Sequence, residues 1–396
     1  MGYSSSVIFL PQSQAKISMI YDCIVVGAGP AGGSASYHLA KLGRKVLVLE
    51  KEALPRYKPC GGGVSPQVQN WFDFDFSPAI SLTVKQISYT WQSQEPMIMP
   101  LGNSEPVWMV RRDVFDHYLI SQAQKQGAEL KAGTAVTGIT WQSDRWVVKT
   151  DLAEFSARYL IACDGAKGSM AKWLGFKERK RRMGAALEVE APAQNHDISS
   201  AHFDFGGVQN GYIWNFPKRD GYSIGVGTFL GGEKQNLKVI GAKYAENFGV
   251  AFDRVKQFGH PLCLWDGDQP LHTQNALLAG ESACVVDPFT AEGIRPALLT
   301  GMLAGKAIDL ALSGDQYALQ NYSQQVQQEW GADMIWAKRI ASIFYRIPSF
   351  AYQVGVKRPG ATRRMGQILC GELRYRDVAA NAVKSLTRGL IPGGSK

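Results

Sequence analysis

Residues 22–50 constrain this chain more than any other stretch. Asp22-Cys-Ile-Val-Val26 is a short continuous apolar run, the pattern of a parallel strand buried on both faces. Gly27-Ala-Gly29-Pro-Ala-Gly32 follows at once; Ala35, Leu39 and Leu42 then recur at helical spacing, and Gly43 is placed to stop the helix. Lys45-Val-Leu-Val-Leu49 gives a second buried strand that ends at Glu50, eighteen residues past the last glycine. Gly27 permits a tight turn, Gly29 lets the backbone approach a pyrophosphate at the positive end of the helix, and Gly32 allows close helix–strand packing. Glu50, with Lys51 beside it, stands where an acid accepts hydrogen bonds from a ribose. A glycine triplet alone is weak; a strand before it, a helix after it and an acid at this offset are what a dinucleotide site demands.

Length and composition fit that reading. The 396 residues leave room for two to three domains, and 45% apolar with 19% charged residues suits a globular protein with a large core. Residues 1–18 read as an extension, or an over-called start, ahead of a folded chain beginning near Met19. No apolar run approaches the ~20 residues of a membrane-spanning helix. Cys23, Cys60, Cys163, Cys263, Cys284 and Cys370 are scattered without a CxxC pair. Neither a zinc ribbon nor a disulfide framework is therefore expected, and a reducing, cytoplasmic compartment fits. The six histidines show no metal-ligand spacing, so no metal site is expected; His38 reads as structural, and His202 is a weak candidate on a sheet strand.

Further along, Val110–Gly127 holds a helix with Phe115, Leu119 and Ala123 on its apolar face, widened by Val114 and Tyr118. Ala135–Trp141, Trp146–Thr150 and Phe155–Ala162 read as strands, and Ala185–Val189, Ala201–Phe205, Tyr212–Phe216 and Tyr222–Thr228 as a second, mostly antiparallel sheet. Gly293–Leu312 is a long Ala/Leu-rich helix with Pro296 in its first turn. From Tyr317 the pattern is helical, broken at Pro348, Pro359 and Gly360.

Four segments resemble a known family. Cys163-Asp164-Gly165 follows one strand; Gly280-Glu281 follows another and leads through Asp287-Pro288 to Glu292-Gly293-Ile294. Pro55-Arg-Tyr-Lys-Pro-Cys60-Gly-Gly-Gly63 is similar to a Cys-Gly-Gly loop, and Tyr212-Ile-Trp214-Asn-Phe216-Pro217, with Gly225 and Gly227, to a Tyr-x-Trp-x-Phe-Pro signature. Together, over roughly Tyr21 to Leu312, they resemble the FAD-dependent geranylgeranyl reductases, within the aromatic-hydroxylase-like flavoproteins.

The resemblance implies a Rossmann-like α/β FAD-binding fold of aromatic-hydroxylase type, with an inserted, mostly antiparallel substrate sheet and a helical C-terminal region. It implies a discontinuous FAD domain (19–75, 100–182, 270–312), a substrate domain (76–99, 183–269) and a basic helical end (313–396). FAD is expected on Gly27, Gly29, Gly32, Glu50, Lys51, Arg112, Asp164, Glu281, Asp287, Gly293 and Ile294. For Arg112 a salt bridge to solvated carboxylates is the competing reading. Cys60, Gly61 and Gly62 are expected at the catalytic face, where Cys60 either supplies or relays a proton or only packs beside the flavin. Tyr212, Trp214 and Phe216 share one strand face. Alternation alone favours sheet core, while the resemblance makes that face, Tyr212 and Trp214 above all, the wall of a prenyl channel. One departure stands out: Glu281 replaces an aspartate and Cys284 a glycine, so FAD binding is either maintained by a small shift or weakened.

The expected activity is saturation of C=C bonds in a geranylgeranyl chain by hydride from reduced FAD. The chain would be carried by a lipid, pigment precursor, quinone or diphosphate, with NADPH or a reduced ferredoxin-like protein as donor. Two alternatives remain: an FAD monooxygenase of aromatic or quinone substrates, and a non-catalytic, membrane-associated flavin-bearing binding or assembly protein. The formal charge of +9 resides wholly in residues 331–396, where twelve Lys/Arg face three Asp/Glu. With its interleaved aromatics this end suits an anionic membrane surface, a solvated basic face or a diphosphate grip. No nucleic-acid motif accompanies it.

Overall fold

The computed structural model describes residues 19–102, 105–176, 179–193 and 198–380; the expected extension 1–18 lies outside them. Two large sheets organise the chain. The first has eight strands, and its parallel core runs in the order Ala276–Leu278, Glu154–Ala162, Ile20–Val26, Val46–Leu49, Glu129–Lys131. The central strands are buried on both faces, which explains why 22–26 and 45–49 read as unbroken apolar runs. Strands Val136–Gln142 and Arg145–Thr150 extend Glu154–Ala162 as an antiparallel flap.

The glycine motif joins this sheet to the helix Pro30–Lys41. Gly27 has φ +105°, and a Cβ there would lie 2.4 Å from the Cys163 carbonyl oxygen. A Cβ on Gly32 would lie 1.8 Å from the Gly27 oxygen. The helix is wedged between Arg112–Lys125 and the long helix Ile294–Leu312; Gly301 passes so close to Ala31 that a Cβ would come within 2.2 Å of its carbonyl oxygen. In Arg112–Lys125 the expected Phe115, Leu119 and Ala123 are buried, whereas Val114 is exposed.

The second sheet has seven strands in the order Gln257–Leu264, Arg182–Pro192, Gly221–Thr228, Gly211–Lys218, Ser200–Phe205, Gln86–Trp91, Gln94–Pro100. All its pairs are antiparallel except Ser200–Phe205 with Gln86–Trp91. Both faces of its middle are covered. Val189, Ile213, Ile224 and Val226 form a core with the helix Leu237–Ala245, an element not anticipated from the sequence. The other face, carrying Tyr212, Trp214 and Phe216, is turned to the first sheet's domain. A small sheet of Gly63–Val64, Val107–Met109 and Leu82–Val84 lies beside it. The C-terminal part is helical: Ala318–Val326, Ala332–Arg346, Pro348–Ala351 and Pro359–Leu369.

One expectation is overturned here. Cys263, on the edge strand Gln257–Leu264, and Cys284 form a disulfide. Its cysteines are 21 residues apart with no local motif to announce them, and only the packing of the second sheet against the first brings them together.

Candidate flavin and substrate site

The first sheet ends, at the carboxyl side of its parallel strands, in a groove opened by two helix N-termini. Gly29 caps Pro30–Lys41 and Gly293 caps Ile294–Leu312, and neither helix has a side-chain cap. The free N–H groups of a first turn, with the helix dipole behind them, attract negative charge. Neither glycine is demanded by its own chain. Their φ angles are −80° and −124°, and a Cβ on Gly29 would approach only Arg56 Nη2, at 3.7 Å. On Gly293 it would touch only Val286, at 3.5 Å. Space kept open above two uncapped helix ends fits a phosphate-bearing cofactor at the first and an electron-rich ring edge at the second.

The other expected cofactor residues lie around this groove in different states. Glu50 is buried and accepts hydrogen bonds from the Ala28 and Glu52 amides at 2.8 and 3.0 Å. Arg112 is buried and holds Asp116 with two bonds of 2.8 Å. It is a salt bridge, then, but to a buried carboxylate and not a solvated one. Arg56, missed in the sequence, joins the same cluster through Asp116 at 3.1 Å and Glu50 at 3.7 Å. Asp164 accepts from Ser282 Oγ and the Met170 amide; burial raises its pKa. Asp287 is fully buried and serves its own loop, accepting from the Phe289 and Thr290 amides and from Tyr375. Lys51 is exposed beside Glu52.

Glu281 turns toward the second sheet. It meets His260 Nε2 at 3.2 Å and the Cys263 amide at 3.3 Å, with Lys58 at 4.0 Å. Burial opposes its charge, but the His260 bond and the Lys58 ammonium outweigh burial and hold its pKa below the ordinary value. Cys284, the other departure, has φ +52°, in the left-handed region where glycine is the usual residue. Both departures thus end on the same edge strand.

Below the groove lies a cavity of ≈ 150 Å³. Gly293, Ile294, the loop Cys60–Gly63 and the strand residues Tyr212, Trp214 and Phe216 all line it. The loop rests directly on the aromatic strand: a Cβ on Gly61 would be 2.8 Å from the Phe216 ring and 3.1 Å from Trp214 Nε1. Gly62 has φ +74°. Lys218, next on the same face, is fully buried and donates to the Gly61 carbonyl; burial lowers its pKa. The Tyr212 hydroxyl donates to the Thr290 carbonyl. The buried Trp214 Nε1–H has no partner among the described residues, and a buried donor of this kind calls for a ligand acceptor.

The expected catalytic loop and aromatic strand therefore line one space, packed against each other. His202 does not join them: it faces Phe248 on the opposite side of the sheet, while its neighbour Phe203 lines the cavity. The sequence reading missed Glu188, which also lines the cavity and lies between Tyr57 and Cys60. Its signal was an acid, followed two residues on by Glu190, among the apolar residues of the strand Arg182–Pro192.

A family model for an FAD-binding domain matches residues 21–209. An uncharacterized protein of Methanosarcina barkeri is 32% identical over 327 residues, covering 82% of this chain and 84% of its own. The digeranylgeranylglycerophospholipid reductase of Methanocaldococcus jannaschii is 28% identical, over 80% of this chain and 82% of its own. The chain belongs to the geranylgeranyl reductase family. Members are FAD-dependent oxidoreductases, and this chain is an enzyme of that kind. Among solved structures, a geranylgeranyl bacteriochlorophyll reductase-like protein of Thermoplasma acidophilum shares the fold with a TM-score of 0.74, at 23% identity over 82% of this chain and 88% of that one. A flavin-dependent brominase shares it at 0.69, with 19% identity over 94% and 100%.

Proposed function

We propose that this geranylgeranyl reductase family member saturates C=C bonds of a prenyl chain. The observation that carries the reading is the juxtaposition of the glycine loop Cys60–Gly63 and the Gly293 helix end with Tyr212, Trp214 and Phe216 around one cavity. FAD, when bound and reduced, supplies the hydride. Gly29, Glu50, Gly293 and Ile294 are the residues that would hold it, and NADPH or a small reduced ferredoxin-like protein is the proposed donor. The aromatic wall keeps water from the reacting bond and aligns an extended apolar chain along the strand. Lys218, bonded to the Gly61 carbonyl, fixes the loop that presents Cys60.

A second, more apolar chamber of ≈ 190 Å³ adjoins the first, with Phe203 and Tyr212 common to both linings. Its far wall comes from the C-terminal helices, including Phe344, Tyr345, Val356 and Met365. Two chambers in line suit a long isoprenoid better than a compact aromatic substrate, which weighs against the monooxygenase alternative. Outside that wall, Ile343, Ile347, Phe350 and Val354 are exposed on either side of the break at Ile347–Pro348, with Arg339, Arg346, Lys357 and Arg358 in the same stretch. We assign this mixed apolar and basic stretch to an anionic membrane surface, from which a lipid-borne chain enters. Among the described residues no helix is long and apolar enough to cross a membrane.

The test is product mass. Flavin-loaded protein reduced with dithionite is incubated without oxygen with geranylgeranyl diphosphate and, separately, with prenylated lipid. The expected result is two hydrogens gained per saturated bond. Bound, reduced flavin with no gain on either substrate would overturn the reading.

A further inference from the structure

We propose that Glu188 is the acid that protonates one carbon of the substrate double bond, while the other carbon receives hydride from the reduced flavin. The inference rests on the reading of the protein as a prenyl-chain reductase. Saturating an isolated double bond takes a proton as well as a hydride, and the cavity wall is mostly rings, aliphatic groups and glycine backbone. Among its described titratable side chains, most are engaged elsewhere. Glu292 is paired with Arg295 at 2.7 Å, Tyr212 donates to Thr290, and His260 is bonded to Lys58 and Glu281. Cys60 and Glu188 remain.

Glu188 has the better chemistry. It sits on the strand Arg182–Pro192, two residues from Ala186, with both side chains lining the cavity. Its Oε1 accepts from the Tyr57 hydroxyl at 2.9 Å and from the Cys60 amide at 2.6 Å. Among the described residues nothing bonds Oε2, the oxygen left to carry a proton toward the substrate. Burial, and then the charge of Glu190, push the carboxyl up to about 7 against the pull of those two bonds and of Lys218. The groups facing it are Tyr57 and Cys60 from the loop, Glu190 on its own strand, Lys218 from the aromatic strand and His260 from the edge strand; Arg111 faces Glu190. An acid poised near neutrality is what general acid catalysis requires.

The step balances. The Glu188 O–H bond breaks as a C–H bond forms with the alkene π pair, and the hydride pair makes the second C–H bond. The alkene is reduced by two electrons and the flavin oxidised by two. Glu188 is left as a carboxylate, stabilised by the Tyr57 O–H and Cys60 N–H, and regains its proton from water.

The test compares full-length, flavin-loaded wild type with Glu188→Gln and Glu188→Asp. Without substrate, infrared difference titration of the wild type should show a protonated-carboxyl band lost with a midpoint near pH 7, and Glu188→Gln should lack it. In anaerobic single turnovers with geranylgeranyl diphosphate, the wild-type rate should be constant at low pH and fall tenfold per unit above that midpoint. Glu188→Gln should be slower by about 100-fold or more, with a flat pH profile and unchanged substrate affinity, and Glu188→Asp should restore part of the rate and the pH dependence. If the wild type saturates the chain and Glu188→Gln does so at the same rate with the same pH profile, Glu188 is not the acid. If the wild type fails on prenyl substrates while its band titrates as expected, the reductase reading itself fails and the proton-donor role falls with it.

Discussion

The indole of Trp214 lies on Gly225, its cross-strand partner, so closely that a Cβ there would fall 2.0 Å from the ring. Gly225 is paired on its other side with Glu188, so the glycine is the floor over which the indole reaches toward the acid. Gly225→Ala should displace the ring and lower stability by about 1–3 kcal/mol, the usual result of overpacking. Thermal unfolding reads the stability, and Trp fluorescence in the folded protein reads the ring's surroundings. An unchanged spectrum and midpoint would refute the contact.

Gly27 and Gly29 should separate folding from cofactor binding. Gly27→Ala meets the Cys163 carbonyl at a φ of +105° and should not yield folded protein. Gly29→Ala meets only the tip of Arg56, so its stability without cofactor should stay within about 0.5 kcal/mol of wild type. Its FAD affinity should nonetheless fall by about tenfold or more, the equivalent of about 1.4 kcal/mol. Calorimetric titration of stripped protein with FAD checks it; wild-type affinity in Gly29→Ala would mean that the cofactor lies elsewhere.

The raised Glu188 carboxyl makes stability depend on pH in a defined sense. As pH rises from 4.5 to about 7, the unfolded chain loses this proton while the folded chain keeps it, so stability falls across that window. Above it the folded state carries a buried charge at a cost of about 3 kcal/mol. Glu188→Gln should therefore flatten the decline and be more stable than wild type at pH 8. Urea unfolding at several pH values reads the difference, and parallel curves for the two proteins would count against it.

Membrane capture should depend on the mixed apolar and basic stretch. Phe350 and Ile343 are 64% and 62% exposed, and moving each into lipid is worth about 1.5–3 kcal/mol. Ile343→Ser with Phe350→Ser should thus weaken sedimentation with phosphatidylglycerol vesicles by about tenfold or more, while activity on a soluble diphosphate is retained. Equal sedimentation of the double variant and wild type would remove the stretch from the interface.

The parts legible in the sequence are those set by local periodicity or local backbone need. The strand–glycine–helix unit, the helix carrying Phe115, Leu119 and Ala123, and the aromatic strand are of this kind. Glu188 was hidden because its strand is buried on both faces. Val189 belongs to the core under Leu237–Ala245, so the acid's side of the strand reads as solvent when it is the cavity wall. The Cys263–Cys284 bond was hidden because it joins two sheets. Its one local trace was a cysteine at a position where glycine is usual, which the +52° backbone explains.

That bond and the Glu281–His260 contact fasten the rim of the aromatic-lined cavity to the turn leading into the long helix. Glu281 and Cys284 act together, since both hold the strand Gln257–Leu264. Cys284→Gly alone would strand Cys263, and Glu281→Asp alone would leave His260 and Lys58 facing a shorter acid. The distance from the cavity rim to the Gly293 helix end is thereby set by scaffold stiffness. Under the proposed prenyl-chain reduction, which double bond lies opposite the reactive position becomes a matter of how far the isoprenoid threads, as on a fixed ruler.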